Sequence, residues 1–345
     1  MLVRLVKSML DALLIGLGVL FYHVGLAGSI IRLGGGRPRV LMYHACEESE
    51  SDFTRGLSIN TTPARFSAQL DFLQKYYRIV PLVTLHQEPS PVPAVVITFD
   101  DGFRSVYEHA FPCLKARGLP ATCYLATDVI ANHALIWLNE LNWYLHRHRT
   151  VAKPLVCQRL GMSPHSSLKR LIEAAIAGYD RGAIVDFLTE LRDKTATKPE
   201  RLAEGTRLYI DRREIQEMSR NRFTFGNHSG SHAVLPRLSQ SECREEVGRA
   251  KSVLATVPQS IPSLAYPFGH SDEVTRRIAR DLGYTTLMNV EGDNSPLDLL
   301  QVGRLNVTSC SPAVLFARLE LAAPIKFRIK RFFKGLRARF TLRPR

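Results

Sequence analysis

Two adjacent carboxylates, Asp100 and Asp101, close the apolar run Pro93-Ala94-Val95-Val96-Ile97-Thr98-Phe99 and are followed at once by Gly102. Far downstream, His228-Ser229-Gly230-Ser231-His232 carries two imidazoles four residues apart. One aspartate and two histidines make a facial three-ligand set that leaves coordination positions open for water. The neighbouring aspartate is then free to act as a base. Together these residue types point to a metal-dependent hydrolase. Each piece alone has an ordinary reading, since Asp is a common helix N-cap and Gly230 argues for a loop rather than a helical His pair. The conjunction carries the weight, because each piece follows a predicted strand.

The elements that must position these groups read as short buried strands alternating with helices. A first strand covers 40–43 and ends at His44; a helix covers 66–77; a second strand covers 95–99, followed by a helix over 106–117 closed by Gly118, then a strand over 121–126. This alternation implies a parallel sheet covered by helices, either open or closed into a barrel. Function then sits at the C-terminal ends of the strands, where Asp100, Asp101 and His44 fall. From about 132 to 222 the periodicity is helical (138–146, 167–177, 183–191, 212–220), which reads as an insertion. Its Trp137 and Trp143 either line a substrate approach or pack, and packing is the expectation for so large a side chain. Strand patterns resume at 223–225, 264–266 and 285–290.

The formal net charge of +14 invites a nucleic-acid reading, but its placement excludes a general one. Nine basic residues and no acid lie between Lys326 and Arg345, and the first 39 residues add a net +4, leaving about +1 for the body. The apolar stretch from Leu10 to Ile31 has the length of a membrane span of about 20 residues. An uncleaved anchor is expected there, with a membrane-surface hairpin or re-entrant segment and a cleaved signal as the alternatives. At the other end, Ile325, Ile329, Phe332, Phe333, Leu336 and Phe340 form one helical stripe opposite Arg and Lys, the pattern of a basic amphipathic helix on an anionic membrane surface. A solvated terminal helix or a disordered basic tail is the plainer reading. The six cysteines form no CxxC pair and show irregular spacing, so they give neither a zinc knuckle nor a redox motif. Cys113 and Cys123 read as buried thiols, and the compartment is open, with a lean toward reducing.

Four segments resemble a known family, the polysaccharide deacetylases (chitooligosaccharide-deacetylase-like carbohydrate esterases). They are Leu41-Met42-Tyr43-His44, Thr98-Phe99-Asp100-Asp101-Gly102, the pair His228/His232 within 226–232, and Ala265-Tyr266-Pro267-Phe268-Gly269. The opening Met-Tyr-His places the chain with one subgroup. The resemblance runs from about 40 to 307 and implies a distorted (β/α)7-type barrel. It implies that Asp100 is the catalytic base, that Asp101, His228 and His232 bind a divalent metal, and that the backbone N–H at Phe268 helps to hold an oxyanion. Zinc is the first choice of ion, with Fe2+, Co2+ or Ni2+ suiting the same ligands.

Two departures stand out. An arginine that orients the base in many members is replaced by Ala265, and Arg304 is positioned in sequence to compensate in part. The late Leu-x-His that supplies the general acid has no match near Arg304-Leu305-Asn306. His44 is then the candidate acid and His270 the next, a hydrogen-bonded structural histidine being the other reading of His44. The expected organisation is a membrane anchor and linker over 1–36, a deacetylase domain over 37–310 with its helical insertion, and a basic amphipathic tail over 311–345. The expected activity is metal-dependent removal of an N-acetyl group from an amino sugar in a cell-surface polysaccharide or lipid-linked glycan. A deformylase or O-deacylase on a lipid-linked sugar, and a non-catalytic membrane-tethered glycan-binding protein, are the alternatives. The expected partners are that glycan and an anionic membrane surface, with no nucleic acid; the expected location is a bacterial-type inner membrane, side undetermined.

Overall fold

Successive side chains of a strand point to opposite faces, and this chain fills both. On one face Leu41, Tyr43, Val95, Ile97 and Phe99 pack with helix residues such as Phe66, Leu70 and Leu73. On the other, Val40, Val96, Tyr124, Ala265, Met288 and Val302 pack against each other. Strands apolar on both faces belong to a closed sheet wrapped by helices. The computed structural model, which describes residues 2–85, 92–290, 292, 294 and 296–329, has that form.

The strands are β1 (Arg39–Tyr43), β2 (Arg78–Ile79), β3 (Ala94–Phe99), β4 (Ala121–Leu125), β5 (Phe223–Asn227), β6 (Ser260–Ala265), β7 (Thr286–Val290) and β8 (Val302–Asn306). Every pairing is parallel, and β1 bonds both β3 and β8, which closes a seven-stranded barrel. The two-residue β2 only extends the start of β3. The expected α/β barrel of seven strands is therefore observed. All C-terminal strand ends lie at one mouth, so His44, Asp100, His228 and Asn306 emerge together.

Six helices stand between β4 and β5: Trp137–Arg147, Arg149–Arg159, Leu168–Ala177, Arg181–Thr195, Pro199–Thr206 and Arg212–Ser219. Their starts follow local chemistry: the side chains of Ser167, Asp180 and Asp211 cap the backbone N–H groups of the third, fourth and sixth. Buried Glu140 receives a two-pronged bond from Arg192 at 2.8 and 2.7 Å, which joins the first helix to the fourth. Asn132 and Tyr209 exchange side-chain-to-backbone bonds of 2.7 Å each and draw the two ends of the insertion together.

The N-terminal apolar stretch differs from the expected single span. It forms two helices, Leu2–His23 and Ala27–Leu33, and the chain turns at Gly25, where φ is +81°. Among the described residues no single helix is long and apolar enough to cross a membrane; the pair Ser8–His23 with Ala27–Leu33 qualifies by length and composition only as a unit bent by 118°. The expected C-terminal stripe is described only through Ile329, with 323–329 helical; Phe332, Phe333, Leu336 and Phe340 lie outside the described residues. All six cysteines are free thiols, and Cys113 is half-buried rather than buried.

Candidate active site

The two aspartates at the end of β3 are buried and face different partners. Asp101 has φ +70°, and the turn through Gly102 at φ +76° directs its carboxylate toward the end of β5. There His228 Nε2 lies 3.3 Å and His232 Nε2 3.1 Å from Asp101 Oδ1. One ligand atom from each of the three residues falls within 4.8 Å of the others. His228 donates its Nδ1–H to the Ala265 carbonyl at 2.8 Å, which leaves the Nε2 lone pair facing the aspartate.

These groups do not satisfy one another. Asp101 Oδ1 and His232 Nδ1 are buried without a hydrogen-bond partner among the described residues, and so are Asn306 Oδ1 and His44 Nδ1 close by. Unpaired buried polar atoms are costly. Two imidazoles and a carboxylate converging in this way fit a divalent cation of the borderline or first-row type.

Asp100 is held from inside the barrel. Arg304, a fully buried side chain on β8, donates to its two carboxylate oxygens at 2.6 and 2.7 Å. The same guanidinium lies over the Tyr124 ring, 5.3 Å from its centroid, and Tyr124 is fixed by a 2.7 Å bond between its hydroxyl and that of Ser263. The ring fits because β5 offers Gly226, where a Cβ would lie 2.4 Å from it. Ala265 is buried on the neighbouring strand, so the missing arginine of the third motif is replaced in space by Arg304.

The charges follow from these contacts. Burial works to raise the Asp100 pKa, but the Arg304 guanidinium, His228 and the Arg304 hydrogen bonds outweigh it and hold the carboxyl below its ordinary value. Asp101 shows the same contest more strongly: burial raises, the facing imidazoles lower, and the carboxyl ends well below the usual range. For His228, desolvation is overcome by the two carboxylates, and the imidazole pKa rises.

The loop carrying the histidines is pinned from three sides. Asn227 accepts from the Ser229 N–H at 2.6 Å. Glu246, buried on the helix Gln240–Leu254, accepts from the Ser231 N–H at 2.6 Å and its hydroxyl at 2.8 Å. Trp137 donates its indole N–H to the His232 carbonyl at 3.1 Å. These contacts hold His232 at φ +59°, a region that a non-glycine residue occupies only when its surroundings insist. Sequence reasoning passed over Glu246; its only signal was an acid at a core position of a helical period.

The other expected residues separate clearly. His44 and Phe268 line a cleft of about 370 Å³ above the three-ligand set. His44 keeps part of its surface open to that cleft, yet desolvation lowers its pKa ahead of the opposing pull of Asp101 and Asp100. Phe268 has φ +58° and sets its ring against His232, with centroids 4.6 Å apart. His270 is exposed and does not line the cleft. Trp137 packs against Phe268 and Tyr179 besides holding the His232 carbonyl, Trp143 packs against Phe53, and neither lines the cleft.

The chain is similar to known proteins. The structure is similar to the deacetylase PplD of Streptococcus pyogenes, solved in complex with acetate, with a TM-score of 0.55 at 18% identity over 83% of this chain and 99% of that one. It is also similar to IcaB from Ammonifex degensii, with a TM-score of 0.53 at 20% identity over 83% and 98%. At such identities the likeness concerns the fold. The Bacillus subtilis (strain 168) protein YxkH, whose name carries the term polysaccharide deacetylase, is 31% identical over 93 residues, which are 25% of this chain and 30% of that one. The family model described as polysaccharide deacetylase matches residues 87–287, more than half of the chain and including Asp100, Asp101, His228 and His232. By that match the chain belongs to the polysaccharide deacetylase family.

Proposed function

We propose that this protein is a metal-dependent hydrolase that removes an N-acetyl group from an amino sugar of a cell-surface or lipid-linked glycan. One observation carries the reading: the donor atoms of Asp101, His228 and His232 converge within 4.8 Å beside a second carboxylate, that of Asp100, which Arg304 grips with Oδ2 3.8 Å from His228 Nε2. A divalent ion there, zinc in the first instance, would polarise the acetamide carbonyl and make water acidic enough to deprotonate near neutral pH.

The chain's own residues account for the remaining steps. Asp100, kept ionised by Arg304, takes the proton of the water that attacks the acetamide carbon. The Phe268 backbone N–H, at the cleft wall, donates to the oxygen that gains charge. Collapse breaks the carbon–nitrogen bond, and the departing amine needs a proton. His44 enters the cycle neutral, so it serves as acid only if Asp100 first hands on to it the proton taken from water.

The cleft supports a substrate with an apolar part. Its walls include Leu57, Ile59, Ile136, Leu138, Ile172 and Ile176, the last two from the insertion helix Leu168–Ala177. An aliphatic wall beside a hydrolytic centre suits the lipid-proximal sugar of a carrier-linked glycan better than a bare polysaccharide groove. The test is acetate release by metal-free and zinc-reloaded protein from N-acetylglucosamine oligomers and lipid-linked amino sugars, with N-formyl and O-acetyl analogues alongside. Zinc-dependent acetate from the N-acetyl substrates is expected. Formate or O-acetyl release alone would reassign the substrate, and silence from metal-loaded protein on every substrate would overturn the catalytic reading.

A further inference from the structure

The helix Leu2–His23 lies along the domain, and its two sides differ. Toward the domain, Leu14 and Gly18 are buried. A Cβ on Gly18 would come within 2.4 Å of the Ala317 Cβ, so this helix and the helix Pro312–Ala317 approach at backbone distance. The Tyr22 ring meets Phe72 and Phe316 at 5.9 and 6.1 Å, and Asp11 pairs with Lys326 at 2.5 Å. The helix is thus docked from Asp11 to Tyr22. Its outer side presents Met9, Leu13, Leu17 and Leu20, continued by Val24 just past its end, at 64, 67, 40, 55 and 59% exposure. Spacings of four, four, three and four make this a single stripe, with exposed Ala12 and Gly16 between its members and no charge upon it. A helix facing water on a soluble domain carries polar residues there, and a contiguous apolar face marks a surface made to be covered.

We propose that this face attaches the protein to an anionic lipid bilayer, with the helix lying in the plane of the membrane surface and not crossing it. Two observations choose the bilayer and the orientation. The neighbouring helical segment 323–329 exposes Lys326 and Arg328, and seven further basic residues with no acid follow it in the sequence. A basic flank beside an apolar stripe matches anionic headgroups above acyl chains. It also disfavours a second copy as the cover, since a two-fold contact through the stripe would bring the basic flanks together. Crossing is disfavoured by the docking itself: a helix fixed to the domain over most of its length would pull Lys326 and Arg328 into hydrocarbon. The bend of 118° after His23 fits a helix that lies flat and then returns to the domain.

The test uses the full chain and vesicles of phosphatidylcholine, alone or with phosphatidylglycerol. Wild-type protein is expected to float with the anionic vesicles and to keep part of that binding in high salt. Leu13→Glu with Leu17→Glu should lower the bound fraction about tenfold or more at an unchanged melting temperature. Leu13→Gln with Leu17→Gln should lower it too, which separates lost apolar contact from charge repulsion. In sealed membranes, a tag placed before Met1 and the domain itself should be cut by protease from the same side. Equal binding by wild type and both variants would overturn the proposal. So would a dimer that the variants dissociate in the absence of vesicle binding, or a tag protected on the side opposite the domain.

Discussion

Arg304 and Asp100 meet inside the barrel through two parallel hydrogen bonds of 2.6 and 2.7 Å, with neither side chain open to solvent. A two-pronged guanidinium–carboxylate bond fixes the carboxylate plane as well as its charge. Replacing Arg304 by Met leaves Asp100 buried with its main compensating charge gone, and loss of one partner of a buried pair costs about 3–5 kcal/mol. The pH dependence has a definite sign. The folded-state pKa of Asp100 is depressed, so its contribution to stability is present above the unfolded value of about 3.9 and is lost as pH falls through the folded value. In Arg304→Met burial dominates and the carboxyl pKa rises, so the acid limb of kcat/KM should move upward. A profile unchanged in Arg304→Met would remove Asp100 from the role of base.

The two aspartates should separate when substituted. Asp101→Ala removes a converging donor and should lose bound metal and activity together. Asp100→Asn leaves the three donors intact and should keep one metal per chain while losing about 10²–10⁴ in kcat, the usual worth of a positioned base. Metal analysis alongside acetate release checks both. Normal turnover by Asp100→Asn would mean that another group takes the proton.

Glu246 touches no ligand atom but holds Ser231, the residue that directly precedes His232. Removing an outer partner of this kind typically weakens metal affinity by about 10–100-fold. Glu246→Ala should therefore bind zinc less tightly, measured by competition with a chelating dye, while Glu246→Gln keeps an acceptor for Ser231 and should fall between. Identical affinities in all three proteins would make the loop self-supporting.

Gly226 sits where the Tyr124 ring needs its space. Gly226→Ala should displace that ring from beneath Arg304 and cost about 1–3 kcal/mol in overpacking. Thermal denaturation reads the cost. A fall in kcat at saturating zinc would show that the displacement reaches Asp100 through Arg304.

Much of this was legible in the residues, for identifiable reasons. The strands that end in Asp100 and His228 are β-branched and apolar or flanked by such residues, and the chemistry begins where the apolar run stops. The ligand trio could be named because each member lies at a strand end or within a matched motif, and Arg304 because it stands where the late motif is expected. The grip of Arg304 on Asp100 could not, because register and barrel closure decide which interior side chains meet. Helix Gln240–Leu254 went unrecognised: its buried positions include Glu246, which a hydropathy count does not score as core. The break in the N-terminal segment was not legible, because composition reports apolarity and length, whereas the turn after His23 depends on Gly25 and on docking against the domain.

His44 offers the sharpest remaining test of the mechanism. Its side chain lines the cleft, its Nδ1 is buried without a hydrogen-bond partner among the described residues, and desolvation keeps it neutral. A structural histidine would have its ring nitrogens engaged, so the open nitrogen suggests a partner that arrives with substrate. If His44 passes a proton to the departing amine, His44→Asn should slow release from an N-acetyl amino sugar by about 10²–10⁴. An N-acetyl arylamine, whose leaving group departs with less protonic help, should be slowed far less. Equal losses on both substrates, with metal content and melting temperature unchanged, would assign His44 to substrate positioning and leave Asp100 to return the proton that it takes from water.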